Sequence, residues 1–200
     1  MGYILIYIRT FFYLILFFLL GCSSKDNIQL KTDMRKYLPA GEPGTVYSSQ
    51  YTATGMYEIE EHKRILKRKG DCVYFEVTIT KDDKKESEYI DKLCATQHLL
   101  YRSSKSKPLI NIKQRSWIGM QMLSKNQIDD MRCSIFSLEP FIFDDKKINA
   151  VTTECKAENT DFFITFAEGL GIAKVDQKVG GYGTVGGMKL KKIVYPKTKR

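Results

Sequence analysis

Alternating apolar and polar positions dominate the chain after residue 45 and predict a mainly β protein. Every second residue from Val73 to Ile79 is apolar, as in a strand with one buried face. The charged segment 60–69 fits the outer end of a long hairpin strand. Further strands are predicted at residues 46–59, 89–94, 98–102, 109–113, 117–123, 133–138, 141–143, 148–155, 161–167, 170–175 and 188–195. Short strands separated by turns favour an antiparallel sheet, a sandwich or a half-barrel.

Two short helices are predicted outside these strands. Apolar residues at 28, 30, 34, 37 and 38 precede Pro39 and indicate one modest helix over residues 28–38. The segment 124–127 resembles a capping box, so we expect a second short helix over residues 127–132. Residues 39–44 contain two prolines and two glycines and therefore form a loop.

The beginning of the chain has a different pattern, an apolar run that ends at a cysteine. Ten apolar residues, 11–20, follow Arg9 and lead to Gly21 and Cys22. A membrane-spanning helix needs about 20 apolar residues, so this run suits the core of a cleaved signal peptide. The alternative is an uncleaved anchor over residues 3–20, which would place Arg9 within the membrane at a cost of about 3 kcal/mol. A small Gly21 favours cleavage, because the signal peptidase needs a small residue before the cut.

The stretch Leu19-Leu20-Gly21-Cys22 resembles the lipobox of bacterial lipoproteins. The resemblance implies that the signal is cut before Cys22, that the sulfur is diacylated, and that the new amine is usually acylated as well. Two or more acyl chains, such as palmitate, give stable anchoring. In Gram-negative members, a serine after the cysteine, here Ser23, accompanies delivery to the outer membrane. The implied location is the outer membrane, with the domain facing the periplasm.

Cleavage before Cys22 divides the chain into three parts. We expect a signal peptide at 1–21, a lipidated tether with a short helix at 22–44, and one β-rich periplasmic domain at 45–200. The full chain carries a net charge of +9, and removal of Arg9 leaves +8. A basic balance fits nucleic acid, anionic lipid or polysaccharide, or solubility alone. Because the lysines are scattered and the protein is expected outside the cytoplasm, nucleic acid is not a predicted partner.

Four cysteines remain besides Cys22, namely Cys72, Cys94, Cys133 and Cys155. An even number in an exported chain predicts two disulfides, with three connectivities open. The spacings 94 − 72 and 155 − 133 both equal 22, and each interval contains an Asp-Asp-Lys-Lys turn near its middle. This symmetry favours the pairs Cys72–Cys94 and Cys133–Cys155, each across one hairpin. Free buried cysteines are the alternative, and a metal site has less support because Cys-x-x-Cys is absent from the sequence.

Motifs for catalysis or cofactor binding are weak. The segment from Gly181 to Gly186 matches Gly-x-Gly-x-x-Gly, but only 14 residues follow and none is acidic. A dinucleotide site would need a helix and a ribose-binding acid there, so this segment predicts a glycine-rich hairpin turn and no cofactor. The two histidines, His62 and His98, lie in no recognised catalytic motif. We therefore predict no catalytic residues, and we expect the sole tryptophan, Trp117, to lie in the core.

The C-terminal third carries a second resemblance. The run from Phe166 to Lys174, with its Gly169-Leu-Gly171, and the later Met188-Lys-Leu190 resemble the ending of uncharacterised β-rich bacterial envelope proteins. That resemblance implies an all-β or α+β fold facing the periplasm and no defined activity. The two glycines would permit a bulge or a close strand crossing.

These observations predict a lipid-anchored cell-envelope protein that acts as a binding or structural module at the outer membrane. Its partners would be the membrane, through Cys22, and an envelope protein. One alternative is a carrier of lipid or lipoprotein with a half-barrel groove. Another is an envelope hydrolase that assembles its site from distant residues, as catalytic triads do.

Overall fold

The computed structural model describes residues 32–53, 59–102, 107–120, 130–180 and 182–197. Across these ranges the chain forms one 3₁₀ helix, Met34–Tyr37, and 14 strands. The strands are β1 (Val46–Ala53), β2 (Ile59–Lys69), β3 (Cys72–Lys81), β4 (Lys84–Ala95), β5 (Leu99–Tyr101), β6 (Ile110–Asn111), β7 (Ser116–Met120), β8 (Asp130–Ser137), β9 (Phe141–Phe143), β10 (Lys146–Ile148), β11 (Ala150–Lys156), β12 (Thr160–Ala167), β13 (Gly171–Val179) and β14 (Gly183–Val194). The mainly β, antiparallel fold predicted from the pattern is confirmed.

Twelve of the described strands form one antiparallel sheet in the order β6-β5-β4-β3-β2-β1-β14-β13-β12-β11-β8-β7. Most neighbours in this order are sequential hairpins, whereas β1 also pairs with β14 and joins the two ends of the domain. The outermost strands β6 and β7 approach each other, so the sheet is almost closed into a barrel. Strands β9 and β10 form a separate two-stranded sheet.

The interior of the curled sheet is filled with side chains. Every second residue of a strand faces inward, so Val73 and Val77 of β3 meet Ile164 and Phe166 of β12 in one buried cluster. Trp117, predicted to lie in the core, belongs to the same cluster. A second, smaller cluster of buried residues lies beneath the two-stranded sheet and comprises Phe141, Ala150, Ala167 and Ala173.

The segment before β1 packs onto the sheet. Met34 and Tyr37 of the 3₁₀ helix are buried in the main core, and the Asp33 side chain caps the helix by accepting a hydrogen bond from the Arg35 amide. The helix predicted over residues 28–38 is thus only four residues long in the described part, and residues 28–31 lie outside it. Leu38 is extended, with ψ 143°, because the ring of Pro39 disfavours helical backbone in the residue before it.

The paired glycines allow this segment to lie against the β12–β13 turn. Gly169 and Gly171 have φ values of 71° and 75°, a region that glycine adopts readily. A Cβ on Gly171 would lie 2.9 Å from Pro39 Cγ. Gly169 also donates to the Lys36 carbonyl at 2.8 Å and accepts from the Ala40 amide at 2.7 Å. The glycines thus serve a close approach between a turn and the loop before β1, in place of the predicted bulge or strand crossing.

Two sequence-based elements are wrong. The helix predicted over residues 127–132 is contradicted by β8, which begins at Asp130, while residues 127–129 lie outside the described part. The capping pattern is a local signal for a helix. The hydrogen bonds of β8 to β7 and β11 outweigh it and hold these residues in a strand. The single strand predicted over 46–59 is divided between β1 and β2. Among the described residues, no helix has the length and apolarity needed to cross a membrane.

Both Asp-Asp-Lys-Lys segments form two-residue turns. Asp82 and Asp83 have φ values of 49° and 61°, and Asp144 and Asp145 have 47° and 59°. Positive φ at both central residues is the type I′ geometry that matches the twist of a hairpin. The first turn joins β3 to β4, as predicted. The second joins β9 to β10, so the strands that carry Cys133 and Cys155 are not the arms of one simple hairpin but enclose a smaller one.

Candidate functional site

The structure contains the two disulfides that the cysteine spacing predicts. Cys72–Cys94 joins β3 to β4, and Cys133–Cys155 joins β8 to β11. In each case the two residues are directly opposite in the register, with Cα atoms 4.0 Å apart. The predicted lipidation residue, Cys22, lies outside the described residues.

A cluster of charged and polar side chains lies inside the curled sheet. Glu61 is only 3% exposed, and its Oε1 lies 2.7 Å from Lys63 Nζ. The contact is an ion pair rather than an aligned hydrogen bond, because Oε1 has no hydrogen-bond partner. Tyr51 donates its hydroxyl to Oε2 of the same carboxylate at 3.3 Å. Glu61 and Lys63 point inward because they share the face of β2 that carries the buried Ile65.

A second ion pair continues the cluster across the same wall. Arg102 approaches Asp91 of β4 at 3.4 Å, and both side chains are mostly buried. Tyr89, two residues before Asp91, lies on the same face of β4. Burial raises the pKa of Tyr51 and of Tyr89 above the ordinary value, and the negative charge of Glu61 raises both further. The two phenols therefore remain protonated through the physiological range, and Tyr51 uses its proton in the hydrogen bond to Glu61.

The cluster lines one side of a narrow cleft. Its floor is apolar and includes Phe75 and Leu190, while Ser49, Lys63 and Arg102 contribute polar atoms. The enclosed space is about 30 Å³, room for one or two water molecules. Sites for small organic ligands usually measure about 300–1,000 Å³. As it stands, the cleft can hold water or a small ion and cannot hold an acyl chain.

The outer face of the sheet carries a serine, a histidine and an acid in contact. Ser48 Oγ lies 2.9 Å from His62 Nδ1, and His62 Nε2 lies 3.3 Å from Glu60 Oε2. Ser48 of β1 and His62 of β2 are directly opposite in the register, and Glu60 is on the same face two residues earlier. In an acyl-transfer site, free amides must also face the developing oxyanion. Because β1 is paired on both sides, Ser48 and His62 lie on a continuous sheet face. Glu60 borders a polar depression that is otherwise lined by Thr80, Asp82 and Asp83.

His98 and the described residues of the glycine-rich segment 181–186 belong neither to the interior cluster nor to the group of Ser48, His62 and Glu60. His98 lies in the turn before β5, where its carbonyl accepts from the Ile112 amide at 3.0 Å. Tyr182 and Gly183 belong to the β13–β14 turn and the start of β14, as expected for a glycine-rich hairpin; Gly181 itself lies outside the described residues. Within the described ranges, no group of three or more His, Cys, Asp or Glu side chains could hold a metal ion.

The sequence pattern alone does not predict the interior cluster. Residues 60–69 carry mostly charged side chains, a pattern that predicts the outer end of a strand. The assignment to a strand is confirmed by β2, yet Glu61 and Lys63 point into the barrel. The one signal for this was the alternation of Glu61 and Lys63 with the apolar Ile65 at every second position.

Comparison with known proteins identifies the fold. No protein-family model matches the chain, and no curated protein matches it in sequence. Two solved structures share its architecture. One is a candidate exported protein with a YmcC-like fold from Bacteroides fragilis, with a TM-score of 0.51 and 11% identity, covering 78% of this chain and 98% of that one.

The second is a candidate lipoprotein from Parabacteroides distasonis, with a TM-score of 0.52 and 11% identity. The match covers 83% of this chain and 100% of that protein. At this identity the likeness establishes the fold alone. The chain is thus a curled antiparallel sheet protein with the fold of these two bacterial proteins.

Proposed function

We propose that this chain is a lipid-anchored cell-envelope protein that acts as a binding or structural module at the outer membrane. The observation that carries the proposal is a lipobox-like Leu19–Cys22 placed before a domain whose fold matches a candidate lipoprotein over that protein's whole length. The other structural neighbour, a candidate exported protein, supports the same compartment. The two disulfides also suit an oxidising compartment outside the cytoplasm.

The packed interior supports a binding or structural module over a carrier. A lipid carrier needs a continuous apolar cavity, whereas the cleft encloses about 30 Å³ and is lined in part by Lys63, Asp91 and Arg102. To carry lipid, the sheet would have to open and separate its two walls. A mature domain that binds no hydrophobic fluorescent probe would support the module over the carrier.

The anchor is tested by the chemistry of Cys22. Mass spectrometry of the mature protein should find Cys22 as the first residue, with diacylglycerol on its sulfur. Replacement Cys22→Ser should abolish incorporation of a palmitate analogue and leave both disulfides intact, because the other four cysteines pair among themselves. A mature protein that retains residues 1–21 or carries no acyl group would overturn the proposal.

Sorting and partners are tested in the native envelope. The wild-type protein should fractionate with the outer membrane, and Ser23→Asp should retain it at the inner membrane. Crosslinking in intact cells, followed by gentle solubilisation, should recover an envelope protein with it. Repeated isolation as a lone monomer would count against a partner-binding role.

A hydrolase is the second candidate, because His62 contacts Ser48 through one ring nitrogen and Glu60 through the other. A serine-directed fluorophosphonate probe tests it directly. If the three residues form a catalytic site, the probe should label the wild-type protein and fail to label Ser48→Ala. A binding module predicts no labelling of either protein, because an exposed sheet face lacks an oxyanion site.

A further inference from the structure

One end of the sheet carries an exposed patch of apolar and basic side chains. It is formed where β2 and β14 end and β1 begins, since Val46 is paired with both Arg64 and Val194. We call this surface the entry-end patch. Its members are Leu66, Lys67, Lys69, Lys191, Lys192, Val194, Tyr195 and Lys197, all of them exposed.

Two β-bulges place residues on this patch. The register between β2 and β3 shifts between Ile65 and Lys67, so Leu66 is the extra residue and becomes exposed. The register between β1 and β14 shifts opposite Leu190 and Lys192, which leaves Lys191 as the extra residue. Bulges redirect side chains in this way. An exposed leucine and an exposed lysine therefore result from the strand pairing and not from disorder of the chain ends.

The patch has the chemistry of a surface that meets anionic phospholipid. Tyr195 is 66% exposed, and Val194 and Leu66 are 45% and 38% exposed. Apolar and aromatic side chains of this kind partition into the headgroup region. The segments that supply the patch, residues 66–69 and 191–197, contain five lysines and no acidic residue. Each lysine near an anionic leaflet strengthens the attraction about fivefold.

The chain enters the domain at the same end. The Met34 amide donates to the Gln97 carbonyl, just after β4, and the Gly44 amide donates to the Ile65 carbonyl near the end of β2. Only nine residues, 23–31, separate Cys22 from Thr32. Whatever its conformation, a chain of this length spans at most about 35 Å. An anchor on Cys22 would thus hold this end of the sheet beside the bilayer.

We propose that the entry-end patch docks on an anionic phospholipid surface, so that the domain lies against the leaflet in one orientation rather than moving freely on its tether. This inference rests on the proposed lipid anchor and adds to it an orientation and a lipid requirement. The opposite end of the sheet, with the Asp82–Asp83 turn, then faces away from the membrane and is left for a partner.

Two exposed tyrosines on one strand provide a matched pair of probes. Tyr195 directly follows β14 and belongs to the patch, whereas Tyr182, 82% exposed, directly precedes it. A strand of 12 residues separates them by about 40 Å. The variants Tyr195→Trp and Tyr182→Trp each add one exposed tryptophan to the buried Trp117, which is common to both.

The experiment uses the mature lipoprotein in vesicles that contain brominated phospholipid, which quenches nearby tryptophan. With phosphatidylglycerol present, emission of the Tyr195→Trp variant should be quenched and blue-shifted, while the Tyr182→Trp variant should change little. The difference should shrink in purely zwitterionic vesicles, in high salt, and after Lys191→Gln with Lys192→Gln, all of which weaken charge attraction. The protein should still float with the vesicles in each of these conditions.

The outcomes separate the two proposals. A mature protein without acyl mass on Cys22 refutes the anchor and, with it, this inference. An acylated protein that floats with the vesicles but shows equal quenching of both probes refutes docking by the patch alone. Quenching of the Tyr195→Trp variant that is the same in zwitterionic and anionic vesicles would refute the requirement for anionic lipid. Quenching mainly of the Tyr182→Trp variant would reverse the orientation and overturn the inference.

Discussion

The interior ion pair of Glu61 and Lys63 offers a sharp test of how the barrel is held together. Replacing Lys63 by methionine keeps most of the side-chain volume and removes the charge. Glu61, 3% exposed, would then be a buried carboxylate without its neighbouring ammonium, although the Tyr51 hydroxyl would still donate to Oε2 at 3.3 Å. Breaking a buried pair by removing one partner costs about 3–5 kcal/mol. Because the Lys63 side chain is 18% exposed, water partly reaches the site. We therefore expect Lys63→Met to lower the free energy of unfolding by about 3 kcal/mol, the lower end of this range.

The reciprocal change should cost less. In Glu61→Met the aliphatic chain of Lys63 can carry the unpaired ammonium toward solvent. We therefore expect the free energy of unfolding to fall by only about 1–2 kcal/mol. The double variant Glu61→Met with Lys63→Met removes both charges. Replacing a whole buried pair by apolar residues is often neutral or stabilising, so its stability should lie within about 1 kcal/mol of the wild-type value.

Urea denaturation measures these differences, with the disulfides intact and the emission of Trp117 as the signal. Trp117 is 4% exposed and should shift to longer wavelength on unfolding. The matched control is Lys85→Met, which removes the partner of Glu88 at the surface. Exposed pairs contribute about 0–1 kcal/mol. If Lys63→Met cost no more than Lys85→Met, or if the double variant were less stable than Lys63→Met alone, the assignment of Glu61 to a dry interior would be wrong.

Three further predictions follow from the backbone and the buried phenols. Burial and a neighbouring carboxylate raise the pKa of Tyr51, so stability should fall above about pH 10, where the unfolded chain alone releases this proton. Tyr51→Phe should reduce the fall of the free energy of unfolding above about pH 10 by about 1.4 kcal/mol per pH unit. Urea titrations at several pH values measure this fall, and an unchanged dependence on pH would contradict the prediction. A Cβ on Gly187 would lie 2.3 Å from the Val175 carbonyl oxygen, so Gly187→Ala should lower the free energy of unfolding by about 1–3 kcal/mol. Gly180 has open space around it, so Gly180→Ala should lower the free energy of unfolding much less. Equal losses in the two variants would contradict the clash at Gly187. Asp83 has φ 61°, so Asp83→Gly should raise the thermal midpoint through a gain of about 1 kcal/mol, and a lower midpoint would count against the type I′ geometry.

The cysteines illustrate which long-range features could be predicted. Equal spacings of 22 residues and a turn motif inside each interval were enough to favour the observed pairs. For Cys72 and Cys94 the reasoning was also structurally right, because they face each other across one hairpin. For Cys133 and Cys155 the predicted pairing is confirmed, but the predicted single hairpin is wrong. Strands β9 and β10 form their own small sheet between the paired strands β8 and β11. A turn motif reports local backbone geometry, and it does not say which flanking strands continue the ladder.

The sequence by itself determined the class of fold, the alternation of strand faces, the two Asp-Asp turns and the core position of Trp117. These features depend on side-chain period and on local backbone preference, and both act over a few residues. Only the tertiary structure decided that β1 pairs with β14, that β8 replaces a predicted helix, and that Glu61 and Lys63 enter the interior. A charged residue at an alternating position can face water or the interior, and the choice is made by the curl of the sheet, which encloses one face. The opposite charge for Glu61 comes from Lys63, two residues along the same strand. Inside the same curl lies the narrow cleft of about 30 Å³, and the strand ends outside it carry the basic and apolar side chains of the entry-end patch.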